Sequence, residues 1–120
     1  MSRKGTSRQR GVQGEDAAAE FLRSNGYEII ERNYYYQHGE IDIIAKEGTT
    51  LAFVEVKTRR SSRFGAPEES VTPKKQELLR RTAEGYVAER NIGNVECRFD
   101  VVAVLMNEGT AECRLLKDCF

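Results

Sequence analysis

Two short apolar segments separated by one tight turn constrain this chain most. Glu40 to Lys46 and Leu51 to Thr58 carry Ile41, Ile43, Ile44, Phe53, Val54 and Val56, and Glu47-Gly48-Thr49 between them is turn sequence. Segments that short, rich in β-branched residues and bounded by glycine, read as two antiparallel strands of a hairpin. A loop centred on Gly48-Thr49 puts Asp42 opposite Glu55; one centred on Glu47-Gly48 puts Glu40 opposite Glu55. Strand side chains repeat with period two, so either register places Glu40, Asp42, Glu55 and Lys57 on one face. Ile41, Ile43, Val54 and Val56 then form the other, core-facing side. A bulge would break this alternation. Ile44 and Phe53 share the charged face, which is therefore partly apolar and partly covered.

The rest of the chain supplies the surroundings of this hairpin. Residues 1–11 hold Arg3, Lys4, Arg8 and Arg10 and no acid, and read as a flexible basic tail, either a frayed terminus or a phosphate-seeking arm. Residues 12–120 read as one domain, because 120 residues split in two would leave each half too small to bury a core. A helix is expected from about Gln13 to Asn25, with Ala17, Ala18, Phe21 and Leu22 on one stripe and Gly26 as its stop. Tyr27 to Tyr34 is strand one, Tyr35 to Gly39 a connection, and the hairpin gives strands two and three. Arg59 to Val71 is a long polar loop. Thr72-Pro73 starts a second helix, with Thr as N-cap and Pro at the first helical position, ending near Asn91 to Gly93. Glu96 to Met106 is strand four, and Thr110 to Leu116 a fifth strand after Asn107-Glu108-Gly109. The order is α-β-β-β-α-β plus a C-terminal strand. Short links make strands one to three an antiparallel meander, and the helical crossover makes strands three and four parallel. The expected class is α/β, a mixed sheet flanked by helices.

Charge and hydropathy narrow the functional classes. No apolar run approaches the roughly 20 residues that span a bilayer, so no membrane role is expected and the default location is cytoplasmic. The formal net charge is zero, from 19 basic and 19 acidic residues. That removes the simplest argument for nucleic-acid binding, though segregated charge can still supply it. Cys97, Cys113 and Cys119 are odd in number and form no C-x-x-C, which fits reduced thiols rather than a disulfide framework or structural zinc.

The charged hairpin face carries the chemistry. Carboxylates gathered on a partly covered face repel one another. A hard divalent cation resolves the repulsion, and Mg²⁺ takes one or two carboxylates together with waters and substrate phosphate. Lys57 can position or deprotonate an attacking water, or neutralise charge building on the phosphate. A solvated cross-strand pair of Lys57 with Asp42 or Glu40 is the plainer alternative.

Gly39-Glu40-Ile41-Asp42-Ile43-Ile44, followed by Phe53-Val54-Glu55-Val56-Lys57-Thr58-Arg59, resembles the D-x(n)-E-x-K signature of the PD-(D/E)xK nuclease superfamily. Gly14-Glu15-x-x-Ala18, Gly26-Tyr27, Arg32-Asn33-Tyr34, Phe64-Gly65, Val71-Thr72-x-x-Lys75 and Arg98-Phe99-Asp100-Val101-Val102 look like the small YraN-type family. That bacterial group, itself largely uncharacterised, has a restriction-endonuclease-like fold and is similar to archaeal Holliday junction resolvases. The resemblance covers about residues 12 to 106. It implies a restriction-endonuclease-like core and a DNA endonuclease using Mg²⁺ or Mn²⁺. Asp42 and Glu55 would be metal ligands, with the Val56 carbonyl as a third and Lys57 as the catalytic lysine. Glu15 matches the acidic residue that resolvase-like members add to the metal site; read alone, it is also a first-turn acid favoured by the helix dipole, worth under about 1 kcal/mol. The proline of the superfamily name is absent, since Glu40-Ile41 precedes Asp42.

Neighbouring residues complete the expectation. Arg59, Arg60, Arg63 and Lys75 are candidate phosphate contacts, with Lys74, Arg80 and Arg81 less distinguishable from a solvated helix face. Glu40, Gln76 and Asp100 are candidates to support the metal site from behind, although pairing with Arg98 is the default for Asp100. His38 alone is insufficient for a histidine metal site. Tyr34, Tyr35 and Tyr36 can stack on bases or pack an edge strand. A branched DNA substrate would suit a homodimer. The alternatives are a nucleic-acid-binding module without useful turnover, and an interaction protein whose acidic face takes a basic partner.

Overall fold

A computed structural model describes residues 7–60 and 71–120. The elements run α1 (Ser7–Ser24), β1 (Glu28–Tyr36), β2 (Gly39–Glu47), β3 (Thr50–Arg59), α2 (Pro73–Glu89), β4 (Glu96–Asn107) and β5 (Thr110–Leu116). The strands form one sheet in the order β1-β2-β3-β4-β5. β1, β2 and β3 are antiparallel neighbours, β3 and β4 are parallel, and β4 and β5 are antiparallel. This is the expected mixed α/β order and is consistent with a restriction-endonuclease-like core. No helix among the described residues is long and apolar enough to cross a membrane.

The two helices cover opposite faces of the sheet. α1 buries Ala18, Ala19 and Leu22 against Ile43, Ala45, Ala52, Val54, Val102 and Val104. α2 buries Leu79, Ala83 and Tyr86 against Ile44, Phe53, Val101 and Tyr34. Alternate strand residues thus feed alternate cores, as the period of two requires. α1 stops where Gly26 takes φ +86 and the Tyr27 N–H donates to the Leu22 carbonyl at 3.0 Å. That back-reaching bond closes the last turn around a left-handed residue, which glycine adopts without strain.

Three local expectations are corrected. α1 begins at Ser7, inside the stretch assigned to the tail, because isolated glycines such as Gly11 and Gly14 cost a helix only about 1 kcal/mol each and no proline interrupts it. Residues 1–6 lie outside the described residues. β1 runs on to Tyr36, which pairs with Gly39, so Gln37 and His38 alone make the turn, with Gln37 at φ 54. α2 ends at Glu89 because Asn91 takes the left-handed conformation (φ 51), earlier than the Asn91 to Gly93 expected.

Glu47 pairs with Thr50 across a Gly48-Thr49 loop, the register that puts Asp42 towards Glu55. The ladder between β2 and β3 is paired from there up to Ile43 and Val54. Ile41 packs with the α2 cluster whereas Ile43 packs with the α1 cluster, so the alternation expected through Asp42 does not hold.

Candidate functional site

The end of the β2–β3 ladder creates the site. Beyond Ile43 and Val54, the Val56 N–H donates to Asp42 Oδ2, at 2.8 Å. The Asp42 carboxylate is thereby fixed beside Glu55, a buried carboxylate on the next strand. Burial raises the Asp42 pKa well above the usual carboxylate range. A hydrogen bond with Glu55 and that residue's charge push the same way, the Val56 N–H opposes them, and Glu40 adds a smaller repulsion.

Two lysines face this pair. Lys57 comes from β3, two residues beyond Glu55. Lys75 comes from the first turn of α2, where Thr72 caps the helix and accepts from the Lys75 N–H at 3.3 Å. Lys75 Nζ lies 3.3 Å from Glu55 Oε2. Burial lowers the Lys57 pKa and a hydrogen bond with Lys75 lowers it further, against the pull of Glu55 and Asp42. Burial also works against the charge on Lys75, but Glu55 outweighs it and leaves Lys75 more firmly protonated than a free lysine. The arrangement is a half-buried Asp42 beside a buried Glu55, faced by Lys57, whose pKa burial lowers, and by Lys75, whose pKa Glu55 raises.

The donor set suits a hard cation of the Mg²⁺ type, which needs only one or two carboxylates besides oxygen from waters or main chain. Asp42 and Glu55 are such a pair, and burial together with the Glu55 charge disfavours a negative charge on Asp42. Among the described residues no three carboxylate, imidazole or thiolate side chains gather tightly enough to hold a metal alone. Glu15 does not join the pair. Its Oε1 accepts from Arg32 at 3.2 Å, and the same guanidinium reaches Asp16 at 2.7 Å. Gly14 brings α1 against Thr58, the neighbour of Lys57 on β3, since a Cβ there would sit 2.0 Å from Thr58 Oγ1.

The remaining candidates separate. Glu40 stands near enough to act on Asp42 and to accept from Tyr35, which is 67% exposed at the edge of the sheet. Gln76 turns to its own helix start and donates to the Val71 carbonyl at 3.0 Å. Asp100 is on the opposite face, held by Tyr27, Arg98 and the Asp118 N–H, and not beside Lys57. Arg60 is exposed, Arg59 is half-buried, and Arg63 lies outside the described residues together with Phe64 and Gly65. Tyr34 is buried edge-on against Tyr86, and Tyr36 packs over Gly85, so neither offers a free ring. Sequence reasoning gave Lys75 to a phosphate backbone and missed its approach to Glu55. The signal was present: Lys75 precedes Leu79 and Ala83 by one and two helical turns, on the stripe that packs on the sheet.

A family model described as uncharacterised protein family UPF0102 matches residues 14–104. A UPF0102 protein of Caldicellulosiruptor saccharolyticus is 50% identical over 115 residues, covering 94% of this chain and 98% of that relative. One from Symbiobacterium thermophilum is also 50% identical over 115 residues, with 95% and 98% covered. One from Chlorobium phaeobacteroides is 51% identical over 96 residues, with 80% and 76% covered.

Proposed function

The chain belongs to the UPF0102 family, and we propose that it is a Mg²⁺- or Mn²⁺-dependent DNA endonuclease of the PD-(D/E)xK kind, similar to Holliday junction resolvases. The observation that carries this reading is the Asp42–Glu55 carboxylate pair with the Lys57 amine beside it. A bound divalent cation would supply Lewis acidity towards a phosphodiester. Asp42 and Glu55 would hold it, with the Val56 carbonyl. Lys57, carried two residues beyond Glu55 on β3, would position an attacking water through Nζ or neutralise charge building on the phosphate. Arg60 and Arg59 follow on β3 and its exit, where they can meet the phosphates flanking the cut. A branched substrate would be engaged by a pair of chains.

The test is cleavage of labelled linear, single-stranded and four-way-junction DNA with Mn²⁺ or Mg²⁺, with Glu55→Ala in parallel. Cutting should require the metal and fall about 10²- to 10³-fold in the variant, while metal-free DNA binding survives. Salt-dependent binding with no cutting of any substrate would instead favour a DNA-binding module. No DNA affinity at low salt would remove nucleic acid from the account.

A further inference from the structure

We infer that Lys75 is the resident counter-ion of this site, the group a divalent cation must displace from Glu55. The inference rests on the metal reading above and adds the route by which the cation binds. Glu55 is shut in, its side chain only 10% exposed, so little water is available to solvate its charge. Lys75 Nζ, at 3.3 Å from Oε2, is its ion-pair partner among the described residues. Helix phase imposes this contact. Thr72 and Pro73 fix where α2 begins, buried Val71 anchors the segment before it, and Leu79 and Ala83 lock the same stripe onto the sheet. Lys75 therefore projects towards the carboxylates whenever α2 is seated.

A dication brought to Asp42 and Glu55 would share the site with two lysines. Lys57 is carried on the strand that bears Glu55 and cannot withdraw its backbone. Lys75 is 38% exposed along its side chain and has a way out to solvent. The repulsion is relieved at least cost by Lys75 leaving. Cation binding is thus an exchange, and the displaced ammonium ends at the mouth of the site, where an incoming phosphate needs one.

The experiment titrates Mn²⁺ alone, with free ion followed by electron paramagnetic resonance, into wild type, Lys75→Met and Lys75→Arg. Thermal melts with and without Mn²⁺ accompany each titration. Lys75→Met should bind Mn²⁺ up to about fivefold tighter, the factor expected for removing one partly exposed ion pair. Without metal it should melt below wild type, and saturating Mn²⁺ should close that gap. Lys75→Arg should restore wild-type affinity. Equal or weaker Mn²⁺ binding by Lys75→Met, with the melting gap unchanged, overturns the counter-ion role and leaves the metal reading standing. Absence of Mn²⁺ binding in all three folded proteins overturns both.

Discussion

Asp42 is the residue on which stability and function oppose each other. In the folded chain its carboxyl titrates above the ordinary range, because burial and Glu55 both disfavour its charge. Its contribution to stability is therefore complete at pH below the unfolded carboxyl pKa and is lost as pH rises through the folded one. Asp42→Asn removes the charge at every pH while keeping an oxygen for the Val56 N–H. Metal-free Asp42→Asn should melt about 4 °C or more above wild type near pH 8, and the two should converge only as pH falls to the unfolded carboxyl pKa of 3.8. Melting curves across that range check it; a constant offset would show that the charge of Asp42 is not what strains the site. Added Mn²⁺ should raise the wild-type midpoint and leave the variant's unchanged. The hairpin spacing made the proximity of Asp42, Glu55 and Lys57 legible, because a two-residue loop allows few registers. It did not make Glu15 legible. An acid on a helix finds its partner through tertiary packing, and here Arg32, on the neighbouring β1, claims it.

At the scale of elements, the site depends on how closely the helices sit on the sheet. Gly14 lets α1 press against Thr58, and Gly85 lets α2 press against the Tyr36 ring, where an added Cβ would come within 2.5 Å. Gly14→Ala should cost about 1–3 kcal/mol by pushing α1 outward, despite alanine's better helix propensity. Adding Thr58→Ala removes the nearest clashing atom, Oγ1, and should recover part of that loss. Denaturant melts of the two single variants and the double variant give the coupling directly, and strict additivity would place the strain elsewhere. Element order, strand polarity and the N-terminus of α2 were legible because hydrophobic period, turn glycines and the Thr72-Pro73 pair each act locally. The change of face between Ile41 and Ile43 was not. It comes from the ladder ending at Asp42, where a side chain accepts a main-chain hydrogen bond, and no residue type in β2 announces that.

Across the whole molecule, one buried carboxylate ties distant pieces of chain together on the face away from the site. Asp100 is fully buried and accepts from Tyr27 at 2.9 Å, from Arg98 at 2.8 Å and from the Asp118 N–H at 2.9 Å. Arg98 also reaches Glu47 in the β2–β3 turn, and Lys117 reaches the same carboxylate. The end of α1, the central hairpin, β4 and the segment after β5 thus meet at one satisfied polar cluster. Such a cluster adds less than a well-packed apolar core would, but removing a single partner strands the others. Asp100→Ala should cost about 3–5 kcal/mol, because Arg98 and the Tyr27 hydroxyl lose their buried acceptor. The site residues on the other face do not touch Asp100, so the variant, studied at a temperature where it remains folded, should bind Mn²⁺ within about twofold of wild type. Circular dichroism melts and a Mn²⁺ titration separate the two effects. A large loss of Mn²⁺ affinity in the folded variant would mean that Asp100 acts through the sheet on Glu55. An unchanged melting midpoint would mean that the cluster holds nothing together.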